Sequence, residues 1–400
     1  MVEKDVEKRD QTSRKLIIPS LFMSTFGAQS AGVILSLMLV DIAATFNSPV
    51  GVAGQIRTFQ STMATIFALL MGALSIRFDH KRLYTTGILI IAISYLGSYL
   101  APTLSIMQLF YALTGIGIAI YGPMSSTLAG ELLPLEERPK AISWTVAGMT
   151  LAYVISTYAI RFIAERYGWR MSFLIYALPL QLITFLIAQI GIPSTVMKRE
   201  TKLNLGNYIN SFRKVFSNIS AISCIAGFTL FAASGLFLNL YSVTYCRQVF
   251  NVSLGTSALI LMTSALILTF GSLSASRFIN RYGRKPLTVA SSLIVGLSVI
   301  IIPTLPSLLL YIGQLALLSF IGGVGFTAIR SLTMEQIPEL RGTIMSFSAA
   351  AHQFGYTLGA AIGGAVLAVY SYRALGLTLG GMGVLGGLIL FFFAVDPTKK

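Results

Sequence analysis

Ten stretches of this chain contain no Asp, Glu, Lys or Arg: residues 16–40, 58–76, 83–130, 141–160, 171–197, 215–246, 248–276, 286–329, 342–372 and 374–395. A hydrocarbon core about 30 Å thick is crossed by roughly 20 apolar helical residues, so each stretch is a candidate membrane span. Two of them are double length. The first breaks at Pro102-Thr103-Leu104-Ser105 and the second between Pro303 and Ser307, both with turn residues. The apolar runs are continuous and lack the alternation of a membrane β-barrel. The expected fold is an all-α integral membrane protein with twelve transmembrane helices.

Only 11% of the 400 residues are charged, against about 25% in a soluble domain, so a water-facing surface cannot be built. The formal net charge of +15 is unevenly placed. With the N-terminus inside, inner segments hold 23 of the 29 Lys and Arg residues, and outer ones hold Arg57, Arg161, Arg166, Arg170, Arg247 and Arg373. This asymmetry predicts cytoplasmic termini and a lipid bilayer, not nucleic acid, as the partner. The first apolar run has 25 residues, too long for a signal-peptide core, and no cleavage is expected. Cys224 and Cys246 fall on one span and imply neither a disulfide nor a zinc site. No metal or cofactor is expected.

The longest polar interruption, "KRETKLNLGNYINSFRK" at 198–214, divides the chain. Leu205, Tyr208, Ile209, Phe212 and Phe216 recur there at helical spacing, as in a helix lying on the cytoplasmic face; a disordered linker is the alternative. The expected organisation is a tail at 1–15, a six-helix bundle at 16–193, the linker at 194–218, a second bundle at 219–395 and a tail at 396–400.

The two halves repeat each other. "RFDHK" at 77–81 and "RYGRK" at 281–285 lie 204 residues apart, as do Glu131 and Glu335, while Arg138 and Arg341 lie 203 apart. This 6+6 layout resembles the major facilitator superfamily over the whole chain. In that family's loop motif, G-x-L-x-D-R-x-G-R-K, Gly72, Leu74, Arg77 and Lys81 match, with Ile76 at the acidic position and Asp79 at the glycine. The second copy keeps Arg281, Gly283, Arg284 and Lys285, with Asn280 at the acidic position. "YGWRMSF" at 167–173 and "RGTIMS" at 341–346 are also similar to the family.

Within it, the layout is most similar to drug:proton antiporters and related effluxers, although Tyr111 stands where those carry an Arg and only Gly148 survives of their antiporter motif. The resemblance implies a multi-pass protein of the cell membrane, monomeric, that moves a small-molecule substrate by alternating access, outward and with protons as the coupling ion. An importer or uniporter of the same fold is the alternative, and a non-transporting receptor or scaffold a remote one.

Substrate sites in such transporters lie near the bilayer midplane, so polar side chains within the spans are the candidates: Gln29, Arg57, Tyr111, Tyr153, Asn239, Gln314 and His352. Each has a plainer reading as a hydrogen bond between helices, worth about 0.6 kcal/mol. Their mostly neutral character suits a neutral or amphipathic solute. Asp41 and Arg57 flank the first outer turn and could pair as a gate; headgroup snorkelling is the alternative for Arg57. Glu131 and Glu335 are read as partners of the loop arginines. His352 falls in mid-span, near Gly355, Gly359 and Gly363, a small-residue face for close helix packing. Its unperturbed pKa of about 6.5 makes it the candidate for proton coupling, against a structural hydrogen bond. No G-x-x-x-x-G-K-[ST] phosphate loop, metal-spaced histidines or paired carboxylates occur, so enzymatic chemistry is not expected.

Overall fold

The computed structural model describes residues 2–134, 136–193 and 213–397. Among them every regular element is helical, and the long helices form twelve rods. The first four are α1 (Val2–Thr45), α2 (Val50–Arg77), α3 (His80–Leu100) and α4 (Leu104–Leu132). Rod α5 joins Arg138–Leu151 to Thr157–Tyr167 through a π-helical turn at Ala152–Ser156. A second π-turn, Ser172–Ala177, opens α6, which continues as Leu178–Gly191. Rod α7 runs Ile219–Leu236, turns through a π-segment at Phe237–Tyr241 and ends as Ser242–Val249. The others are α8 (Leu254–Tyr282), α9 (Arg284–Ile301), α10 (Leu308–Met334), α11 (Arg341–Val369) and α12 (Tyr372–Phe393).

Ten rods are long and apolar enough to cross a membrane. The other two, α2 and α11, are as long, and they carry Arg57 and His352. Many apolar side chains point outward, among them Leu309 at 80% and Leu273 at 70% exposure; such a surface suits lipid and not water. Residues 2–15, read from sequence as a tail, continue the helix of α1. The surface helix expected at 198–214 falls almost wholly outside the described residues.

The internal repeat holds in backbone detail. Helices α2 and α8, α3 and α9, and α4 and α10 each start 204 residues apart, and α5 and α11 start 203 apart. Asn47 and Asn251, at the same offset, both turn the chain with left-handed φ of 48° and 51°, a conformation asparagine tolerates better than most residues. Thr103 and Ser307 cap α4 and α10, accepting from the N–H of Ile106 and of Leu310.

The loop motifs are caps as well. Asp79 accepts from Arg82 N–H at 3.0 Å and starts α3. Its counterpart Gly283 has φ of 89° and donates its N–H to Ile279 O at 2.8 Å, ending α8 as α9 begins. Buried Asp396 then accepts from Arg284 N–H at 3.2 Å and Lys285 N–H at 3.4 Å, placing a carboxylate on the positive end of α9.

The chain packs as two units, Met1–Ile34 with Ile66–Leu203, and Leu35–Thr65 with Asn204–Lys400. In the first, Tyr84, Tyr95 and Tyr111 donate to the carbonyls of Ser20, Gly27 and Ala31 at 3.0, 2.8 and 3.3 Å, a ladder of hydroxyls along α1. In the second, α11 lies against α7 on glycines. A Cβ at Gly359 would sit 2.7 Å from the Ala233 carbonyl oxygen, and one at Gly355 would collide with that of Thr229. Helices in lipid gain little from apolar contact and associate by such close fits.

Candidate functional site

Arg57 lies two turns inside α2 and is half-buried. The sequence reading placed it at the helix start, because a charge was taken as the edge of a span. An arginine at the centre of a membrane helix costs about 2.5–3.5 kcal/mol on insertion scales, so its contacts matter. Its Nη1 donates to Gln60 Oε1 at 2.8 Å. A guanidinium can only donate, which fixes the amide oxygen toward Arg57 and turns the amide nitrogen of Gln60 away. That nitrogen is buried and has no partner among the described residues. The Arg57 guanidinium also lies 4.8 Å from the ring centroid of Tyr356 on α11, a cation–π distance.

Tyr356 leads to His352, one turn earlier on α11, at 4.5 Å between ring centroids. The imidazole also meets Phe228 of α7 at 5.3 Å and Phe326 of α10 at 5.4 Å. His352 thus faces protein, on the side that the glycine face of α11 predicted. Beyond Phe326 comes Arg330, whose guanidinium lies 5.5 Å from that ring. The second unit therefore holds a wall of four rings with a guanidinium at each end.

The expected pair between Asp41 and Arg57 does not form. Asp41 is instead gripped by Arg247 of α7, Nη1 to Oδ2 and Nη2 to Oδ1, at 2.5 and 3.1 Å. Arg247 Nη1 also donates to Leu37 O at 3.2 Å. This two-pronged geometry suits guanidinium to carboxylate, and Arg57 is left to Gln60 and Tyr356. Nearby, Ser36 donates to the carbonyl of Asn239 in the π-turn of α7, and the Asn239 amide donates to Gly235 O at 3.0 Å. Gln314, on α10, is partly buried.

In the first unit Gln29 and Tyr153 come together. A Cβ at Gly32 would lie 3.8 Å from the Tyr153 hydroxyl and 4.0 Å from the Gln29 carboxamide oxygen. Tyr111 is buried against Phe173, its hydroxyl on α1. Of the loop residues, Lys81 donates to Gln189 O at 2.8 Å, Arg138 to Leu133 O at 3.1 Å and Arg284 Nε to Ser331 Oγ at 3.0 Å. Arg77 and Asn280 are exposed, and Arg281 lies over Tyr282 at 5.3 Å. Glu131 meets His80, Nδ1 to Oε1 at 2.8 Å, not the loop arginine expected. Glu335 caps the end of α10.

Sequence reasoning missed Arg330, Gln60 and two ring partners of His352, Phe228 and Phe326. Arg330 and Phe326 sit four apart on α10, a spacing that puts them on one face.

The sequence profile of the Major Facilitator Superfamily matches residues 18–348 and 223–400. The chain belongs to this superfamily: it is an integral membrane, multi-pass secondary transporter and not an enzyme. It is 24% identical to the uncharacterized MFS-type transporter YwfA of Bacillus subtilis (strain 168), over 96% of this chain and 93% of that one. A probable sugar efflux transporter of Pasteurella multocida (strain Pm70) is 23% identical over 88% and 86%. Among solved structures, a D-xylose-proton symporter superposes with a TM-score of 0.77 at 16% identity, over 97% of this chain and 99% of that one. The nucleoside transporter NupG gives 0.77 at 17% identity, over 94% and 99%. These likenesses fix the fold.

Proposed function

We propose that this protein exports a small organic solute across the cell membrane by alternating access, with twelve transmembrane helices and both termini in the cytoplasm. The observation that carries the reading is the cluster of Arg57, His352 and Arg330 inside helices of a transporter scaffold. Charges inside membrane helices mark substrate and ion pathways because they are costly to keep elsewhere. His352 is the proton-coupling residue, and the second unit supplies the principal substrate contacts. Gln29 and Tyr153 of the first unit are further contacts. The chain works as a monomer, with no nucleic-acid partner. A sugar efflux relative favours export.

The test is reconstitution of the purified protein in liposomes of known orientation, with labelled solutes presented on either side and with or without a pH gradient. Movement from the cytoplasmic face, faster when protons flow the opposite way, is the expected result. Downhill movement indifferent to the gradient would identify a uniporter. No movement of any solute would leave the receptor reading.

A further inference from the structure

Two guanidiniums with no opposing charge are the least explained feature of the second unit. Among the described residues, no carboxylate lies within ion-pair distance of Arg57 or Arg330. Asp41 is taken by Arg247, and Asp396 by the start of α9. Glu335 and Glu339 lie past the end of α10. Gln60, which accepts from Arg57, adds a buried amide donor turned away from it. All three groups donate, and none of their contacts supplies a negative charge.

Arg330 could serve a lipid phosphate by reaching toward the nearer end of its helix. It does the opposite. Its guanidinium folds back over Phe326, one turn toward the middle of α10, the direction helical side chains favour. Arg57, seven residues into α2, likewise turns onto Gln60 and Tyr356 instead of outward. Both cations thus address a row of rings in which Phe228 is buried and Phe326, His352 and Tyr356 are partly exposed between them.

We infer that the second unit binds an organic carboxylate, its anionic group held at one end of the ring wall by Arg57 or by Arg330 and its flat apolar body laid on the rings of Phe326, His352 and Tyr356. This revises the neutral solute suggested by sequence, deepens the transporter reading and rests on it. Guanidinium is the group best matched to carboxylate.

The probes are 2-naphthoate, its neutral amide and 2-naphthylmethylamine, tested by thermal unfolding of the full chain in phosphatidylcholine nanodiscs. Naphthoate should stabilise the protein saturably, and the amide and amine should bind at least about tenfold more weakly, the loss of one charge-assisted contact. Arg330→Gln or Arg57→Gln should weaken naphthoate by a similar factor, while Arg161→Gln, which breaks an exposed pair with Glu165, should not. Equal binding of acid and amide, wild-type affinity in both site variants, or no response to naphthoate would overturn the inference. Should a Gln variant fail to fold, the comparison of acid with amide on the wild-type protein decides. Stabilisation by added phosphatidylglycerol that disappears in Arg330→Gln, without a naphthoate effect, would assign the cation to lipid and also overturn it. Proteoliposomes separate the two layers. Naphthoate bound but not moved would sink the transporter reading alone, and amine moved independently of both arginines would sink the carboxylate site alone.

Discussion

At the residue scale the weight falls on His352. Protonating it would set a third positive charge beside Arg57 and Arg330; Phe228, Phe326 and Tyr356, its other neighbours, bring no charge that could offset it. A carboxylate seated on the guanidiniums does offset it, so anion and proton each favour the other, and the coupling is reciprocal. Binding of naphthoate should therefore strengthen as pH falls. His352→Gln keeps a hydrogen-bonding side chain of similar reach and should leave folding intact while flattening that dependence. An unchanged pH profile would make the histidine a packing residue. Its position was legible in sequence, because an imidazole in a charge-free helix stands out. Arg330 was not, because it was taken as the edge of a span.

At the element scale, that same rule explains which boundaries moved. Cutting spans at every charge ended α1 before Asp41, began α2 after Arg57, split α7 at Arg247 and closed α10 before Arg330. The structure carries each helix past its charge, to Thr45, from Val50, to Val249 and to Met334. A criterion that excludes charges cannot find the functional ones, whereas the glycine face of α11 was readable because spacing alone defines it. Two predictions follow from these contacts. Gly355→Leu should destabilise the protein by about 1–3 kcal/mol through overpacking against α7, seen as a lowered Tm in detergent. For the half-buried pair of Asp41 and Arg247, a double-mutant cycle with Asp41→Asn and Arg247→Gln should give a coupling of about 1 kcal/mol. A coupling near zero would mean that the geometry of this pair adds nothing to the fold.

At the scale of the whole molecule, the repeat decides topology. Helix starts that recur at 204 residues, with the left-handed turns Asn47 and Asn251 in register, describe a six-helix unit used twice. With every rod crossing the membrane, as proposed, the two termini share a side and one orientation fixes all loops. Twenty-three of the 29 Lys and Arg residues, Arg330 among them, lie toward the side of the helices that carries the termini, and that side should face the cytoplasm. The site residues depart from the repeat: Arg57 and Arg330 correspond to Leu261 and Ser126. The scaffold thus repeats, and the charged site does not. Cys224 and Cys246 are both free and buried, so replacing them with Ser leaves a chain on which single cysteines report sidedness. Asn47→Cys and Leu254→Cys should react with a membrane-impermeant maleimide on intact cells. Glu136→Cys, in the exposed turn between α4 and α5, should react only after permeabilisation, as should Asn204→Cys in the linker. Labelling of position 136 on intact cells would invert the molecule, and export would then have to be read as uptake.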